Sequence, residues 1–170
     1  ENDTDTTDAN GLPPRSIAAI VEGGDATVIA NSIRGVKGQG VTPYGSTVIV
    51  VPDKYGNPHP VGFSRPVDVP IYVKITIEPL TGYTSHVGEE IKAAVSAYIN
   101  SLAIGASVLL SRVYSPANLG VVSGGNARYY DITELLIGTS SAGVAATNIV
   151  IAFDHSASCR VADINLEVSV

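Results

Sequence analysis

Several groups of residues in this chain have the types from which sites are built. Val21-Glu22-Gly23-Gly24-Asp25 sets two glycines between an apolar run and a helix-like stretch. Free N–H groups and the helix dipole at such a corner attract phosphate. Asp154-His155-Ser156 contains the acid, base and hydroxyl of a hydrolase triad. Asp53, Asn57 and Asp68 offer oxygens to calcium, while Cys159 with His59, His86 and His155 offers sulfur and imidazole to zinc. Arg65, before Pro66 in a charge-poor stretch, has the planar fork that pairs with carboxylates across interfaces.

Spacing weakens each chemical reading. A P-loop adds Lys-Ser/Thr after its glycines, and a dinucleotide fold adds a third glycine and a distant acid. Neither pattern is present, and Asp25 puts a carboxylate where a phosphate would sit. The simpler role of Gly23-Gly24 is a tight corner, with Asp25 capping the helix that follows. No nucleophile elbow of the Gly-x-Ser-x-Gly kind exists, and sequence neighbours rarely reach triad geometry, so Asp154–Ser158 reads as a polar turn. The histidines lack metal spacing, Cys159 has no Cys-x2-Cys partner, and Asp53-Lys54-Tyr55-Gly56-Asn57-Pro58 reads as a hairpin tip without EF-hand spacing. The expectation is therefore no catalytic residue, no cofactor, no metal and no small-molecule substrate. A small Ser/His/Asp hydrolase and a phosphate-binding module at the glycine turn remain the alternatives.

The elements around these residues follow from pattern. Residues 1–14 are polar and acidic, end in Gly-Leu-Pro-Pro, and read as an extended arm. Within it, Asn2-Asp3-Thr4 matches a glycosylation acceptor, which reads as a chance match. Strands are predicted at 16–22, 47–51, 61–64 and over Val69–Ile77, "VPIYVKITI", where apolar and polar residues alternate. Pro70 near the start of that run is compatible with an edge strand, so it reads either as a central strand or as one that pairs with another subunit. A helix is predicted over 26–34, with Val28, Ile29 and Ile33 on one face. A second starts at a Ser85 cap, with Glu89 and Glu90 in its first turn and Ile91, Val95, Tyr98 and Leu102 at helical spacing, and closes at Gly105. A short helix over 111–116, a turn at Gly124-Gly125-Asn126, and strands at 132–137, 148–153 and 161–170 complete the plan. The fold class is α+β: two small packed α+β units with mixed or antiparallel sheets, 15–80 and 81–170, behind an acidic arm over 1–14.

Composition sets further bounds. The net charge is −6, of which Glu1, Asp3, Asp5 and Asp8 supply four negative charges; the six arginines are scattered. Nothing resembles a basic nucleic-acid footprint, and no apolar run approaches the roughly 18 residues of a membrane span. Neither nucleic acid nor membrane is expected as a partner. One cysteine cannot form an internal bridge and fits a reducing compartment. There is no methionine, even at position 1, which predicts a processed form or a piece of something longer. Only 15% of residues are charged and 45% are hydrophobic. A chain so poor in charge is expected to place apolar surface against other subunits.

The ordered set of local features resembles a known family. The Asn-Asp-Thr arm, Asp8-x-Asn10-Gly11-Leu12-Pro13-Pro14, Val21-Glu22-Gly23-Gly24-Asp25, Tyr44-Gly45 and Phe63-Ser64-Arg65-Pro66 before the long strand are similar to the C-terminal part of the baseplate J-like family. The helix from Gly88-Glu89-Glu90 and the closing Asp163-Ile164-Asn165-Leu166-Glu167-Val168 also suit it. Members are wedge subunits in the baseplates of contractile phage tails and related injection machines. The resemblance implies a longer parent, a structural role without chemistry, and a place in the virion's tail baseplate after assembly in the bacterial host cytoplasm. It also implies contacts with other copies and other wedge proteins in a ring that helps couple host contact to sheath contraction. Arg65, Pro66, Tyr72 and Lys74 are the residues expected at those contacts.

Overall fold

The computed structural model describes residues 1–119 and 126–169. The fold is α+β, and the chain divides into two compact units, 1–66 and 67–170. The division falls after Pro66 rather than after residue 80. The reason is strand pairing: 67–79, expected in the first unit, finds every strand partner in the second.

In the first unit, residues 1–14 form a folded loop rather than an extended arm. Asn2 and Ser16 exchange backbone bonds at 2.8 and 3.0 Å. The Asn2 amide, only 3% exposed, shares its N–H groups among the carbonyls of Thr6, Leu12 and Pro13, and its oxygen accepts from the Thr4 N–H and hydroxyl. Asp8 Oδ1 closes a second turn by accepting from the N–H groups of Asn10 and Leu12, and Leu12 is buried. One buried amide with satisfied bonds does what apolar residues do elsewhere, and hydropathy does not register it. It also occupies the nitrogen that glycosylation would modify.

Strand β1 (Ser16–Ala18) pairs in parallel with β2 (Thr42–Tyr44), and helix α1 (Ala26–Val36) lies between them in sequence. Strands β3 (Thr47–Pro52) and β4 (Pro58–Phe63) form an antiparallel hairpin. Its inner face and α1 make a small core of Ala30, Val51 and Val61, with Ile33 and Ile49 packed against it. Val28, expected on the core face of α1, is instead exposed, because Ala30 and Ile33 define the buried stripe. Arg34 ties α1 to the hairpin through the carbonyls of Val51 and Pro52. Gly45 and Gly62 lie where two backbones touch. A Cβ on Gly62 would sit 2.8 Å from both Gly45 N and Pro43 O, and one on Gly45 would collide with the Phe63 backbone.

In the second unit, the predicted strand 69–77 is two strands. β5 (Val67–Pro70) pairs in parallel with β8 (His155–Ser158). β6 (Tyr72–Pro79) is the centre of a three-stranded sheet, antiparallel to β7 (Tyr130–Gly138) and parallel to β9 (Ile164–Val168). Pro70 ends β5, so it marks no edge of the central strand. Helices α2 (Ser85–Asn100) and α3 (Leu110–Ala117) cover one face of the sheet. Ile71, Val73, Ile75 and Ile77 meet Val87, Ile91, Val95 and Ile99 of α2 in a core completed by Val113, Leu135, Ile137 and Ile164. At roughly 25 cal/mol per Å² of apolar area, burial of this alternating row is the main force holding sheet to helix.

Several boundaries move. Thr84, not Ser85, precedes the first turn of α2, without a side-chain cap, and Glu89 and Glu90 fall beyond that turn. α2 ends at Asn100, before Gly105. The expected strand at 148–153 is irregular chain with one bridge, Val108 to Ile149, while the expected turn at 154–158 contains β8. Residues His155–Ser158 have little strand propensity, but pairing with β5 and burial of Ala157 override it. A 3-10 turn, Val161–Asp163, precedes β9. The predicted turn residues Gly124-Gly125 lie outside the described residues, as does Val170.

Candidate functional site

At the glycine corner both kinds of backbone group already have partners. Gly23 and Gly24 adopt φ of +64° and +76°, left-handed backbone that glycine accepts without strain. Asp25 Oδ1 accepts from the N–H groups of Thr27 and Val28 at 2.9 and 3.0 Å, filling the anion position at the start of α1. On the other side, Arg65 donates to the carbonyls of Val21 at 3.0 Å, Gly23, and Gly24 at 2.8 Å. Arg65 also lies over the Phe63 ring, 5.2 Å from its centre. The residue expected at an interface is therefore bound to its own chain. Its fork converges on carbonyls because the turn directs three of them one way.

The hairpin tip is equally self-contained. Asp53 accepts from Tyr55 N–H and Asn57 N–H, both at 2.8 Å, and from the Asn57 side chain; His59 Nε2 lies 3.3 Å from its second oxygen. The Asn57 backbone N–H, with the Asn57 amide, Tyr55 N–H and His59 adding to it, holds the Asp53 carboxyl well below the usual carboxylate range. Asp68 is on β5, in the other unit, and among the described residues no three His, Cys, Asp or Glu side chains converge as a metal set. A cleft of about 210 Å³ beside Asn2 is lined by Glu1, Asp3, Arg15 and Gln39. Its charges have both signs and favour no single ligand.

Asp154 Oδ1 and His155 Nδ1 lie 2.6 Å apart, the hydrogen bond a triad requires. Ser156 follows His155 on β8, so its side chain leaves the opposite face of the strand, and it is buried. The hydroxyl cannot reach the imidazole, so the three residues do not assemble a triad. His86 pairs with Glu90 at 3.3 Å, one helical turn on. Cys159 is 2% exposed, and burial, with Asp163 nearby, pushes its thiol up to about 11, far from a reactive thiolate at neutral pH.

Tyr72 and Lys74 lie on the outward face of β6, where Lys74 Nζ meets Glu167 Oε2 at 3.1 Å. With Ser141, Val144, Asp163 and Asn165 they line a notch of about 70 Å³, the size of one side chain. Arg160 holds Asp163 through two bonds of 2.9 Å. Tyr72 and Lys74 thus share one surface feature, whereas Arg65 and Pro66 end the first unit.

Exposed apolar residues of another kind escape a reading based on charge. Val48 and Val50 on the outer face of the hairpin are 57% and 60% exposed, and Val150 is 84% exposed. Val150 and the exposed Phe153 belong to 139–153, a connector without a charged residue. Its course is fixed by bridges Ile137 to Ala145 and Val108 to Ile149, and by Asn148 accepting from Leu110 N–H at the start of α3. The absence of charge from 139–153 is the signal the sequence offers for it.

A scan against protein-family models finds no match, and a search of curated proteins finds none. Among the described residues no helix is long and apolar enough to cross a membrane.

Proposed function

We propose that this chain is a structural subunit of a contractile-tail baseplate, phage or phage-like, acting through contacts with its own copies and with other wedge proteins. The observation that carries the reading is the set of large apolar side chains standing in solvent on regular elements and a tethered connector: Val28, Val48, Val50, Val150 and Phe153. Exposure of this kind on each unit of a chain with few charges supports surfaces built for other chains. The ordered resemblance from the Asn-Asp-Thr arm to the closing strand supplies the kind of assembly. The polar groups that would do chemistry are bound within the chain, at Asp25, Arg65 and Asp53. Virion location in the tail baseplate belongs to the same proposal.

The test is to tag the chain in its parent gene, purify intact tail particles and image them. Density for the tag at the baseplate, in every particle and at a fixed copy number, is the expected result. Particles that assemble and contract without the chain would overturn the reading.

A further inference from the structure

The bonding pattern of the β3–β4 hairpin is fixed by its turn. Asp53 N–H donates to Asn57 O at 2.8 Å, and antiparallel ladders alternate bonded and non-bonded pairs. Counting from that bond, Val51 with His59, Ile49 with Val61 and Thr47 with Phe63 are the bonded pairs, while Val50 with Pro60 and Val48 with Gly62 are not. The prolines agree, since Pro58 and Pro60 have no N–H and occupy non-bonded positions. The N–H and C=O groups of Val48 and Val50 therefore point away from β4, along the open edge of β3. β3 has no second strand neighbour, and these four groups have no backbone partner among the described residues.

The two edges of the hairpin are treated differently. The edge of β4 carries Pro58 and Pro60, residues that block strand addition. The edge of β3 runs Thr47-Val48-Ile49-Val50-Val51 without a proline, a charged side chain of its own or a bulge; Pro52, and Arg34 on the Val51 and Pro52 carbonyls, appear only at its end. A five-residue β-branched edge of this kind pairs with another strand unless something prevents it.

We propose that β3 pairs antiparallel with β3 of a second copy of this chain, across a two-fold axis beside Ile49. Val48 then lies opposite Val50 of the partner subunit, and Val50 opposite Val48 of the partner subunit. That register joins all four free groups of each strand in four N–H···O bonds, and a one-residue slip joins none, so the register is set by the backbone. The interface is isologous, because each strand offers the same groups in the reverse order. On the outer face Val48 and Val50 of both copies become cross-strand neighbours in a four-stranded sheet, with no charge to oppose them. The occupant is a second copy because the proposed function has this chain meeting its own copies, and a second β3 offers the same groups in reverse order about Ile49. The proposal takes from the structural reading only that the chain meets its own copies, and the two fail separately: self-association through another surface would remove this contact and leave that reading intact.

The experiment uses the whole 170-residue chain. Its mass is followed by light scattering across a dilution series, for the wild type, Val48→Lys/Val50→Lys and Val48→Lys/Val50→Glu. Both sites are exposed, so thermal unfolding should report a folded first unit in all three. The dilysine variant places like charges opposite each other twice and should raise the dimer dissociation constant about tenfold or more. The Lys/Glu variant places an ammonium on one strand opposite a carboxylate on the other, twice across the axis, and should recover dimerisation. Amide exchange in the wild type supplies a second readout, in which the Val48 and Val50 N–H groups should be protected at high concentration and exposed on dilution. A wild type that stays monomeric, a dilysine variant that dimerises undiminished, or a folded Lys/Glu variant that does not recover would each overturn the proposal.

Discussion

Asn100, at the end of α2, stands in for a missing strand neighbour, and its removal has a calculable effect. Its side-chain oxygen accepts from Cys159 N–H at 2.9 Å, and its NH2 donates to Cys159 O at 2.9 Å, so the amide completes the backbone bonding of that residue. Ser96 Oγ donates to the same carbonyl at 2.7 Å in a buried setting. Asn100→Ala leaves Cys159 N–H without an acceptor, while its carbonyl keeps Ser96. Asn100 is exposed and its two bonds to Cys159 are part-buried, so water has partial access to the freed donor. The loss should therefore lie at the low end of the orphan penalty, about 1 kcal/mol. Ser96→Ala leaves the carbonyl bonded to Asn100 and should lose about 0.5–1.5 kcal/mol. The double variant orphans both groups, so its loss should exceed the sum of the singles. Urea unfolding measures all three, and the Cys159 thiol reports on the second unit alone. Buried and held up to about 11, that thiol should react with a disulfide reagent only when the unit opens. A loss of about 1 kcal/mol then means thiol labelling about fivefold faster in Asn100→Ala. An Asn100→Ala variant within about 0.5 kcal/mol of wild type, or strictly additive losses, would refute the idea that this amide completes the backbone pairing.

Arg65→Ala frees the carbonyls of Val21, Gly23 and Gly24 and should lower the stability of the first unit by about 1–3 kcal/mol, with Arg65→Lys recovering only part because an ammonium is not a fork; thermal unfolding of the three proteins checks this. Asp53 is held below its ordinary 3.8 in the folded chain, so its contribution is complete above that pH and is lost as acid titrates the folded carboxyl. Amide shifts of Tyr55 and Asn57 followed from about pH 5 downward should therefore move only at pH values below about 4, and Asp53→Asn should abolish the transition. Tyr130 is pushed up to about 12, by burial first and then by Tyr83 and Glu90, and its hydroxyl donates to Ala117 O at 2.6 Å. A raised phenol contributes stability that is full below pH 10 and is lost as pH rises towards 12, so Tyr130→Phe should flatten alkaline unfolding over that window, read by urea midpoints at each pH.

Local signals carry the elements whose stabilisation is local. Asp25 caps α1 as its position before an apolar-periodic stretch implies. Of the row expected on α2, Ile91 and Val95 are buried, whereas Tyr98 and Leu102 are only partly so, because the buried stripe continues through Val87 and Ile99. The strand "VPIYVKITI" shows where pattern alone stops. Side chains from Val69 to Ile77 keep one inward face throughout, because Ile71, Val73, Ile75 and Ile77 share one core. The backbone meanwhile changes partner: Ile71 N–H still bonds Ser158 O, and from Tyr72 onward the neighbours are β7 and β9. Periodicity reports faces and is silent on partners, so the unit boundary falls earlier than pattern predicts. Asn2 reads as solvent-facing in the sequence for a related reason. A single amide with its bonds satisfied is buried at little penalty, and composition averages it away among Glu1, Asp3 and Asp5. The candidate sites are legible only as absences of motif. What stands in their place, namely three carbonyls on Arg65 and two N–H groups on Asp25, depends in the first case on residues some 40 positions apart.

The crossing of Gly45 and Gly62 bears on how this sequence can change. Where an added side chain meets only other side chains, those neighbours can shift rotamer to receive it. At this pinch the obstacle is main chain on both sides, no more than 2.8 Å away, and main chain has no rotamers to offer. Drift should therefore be broad across the surrounding surface and nearly forbidden at these two positions, leaving a pair of immobile points by which remote descendants of the domain could be aligned.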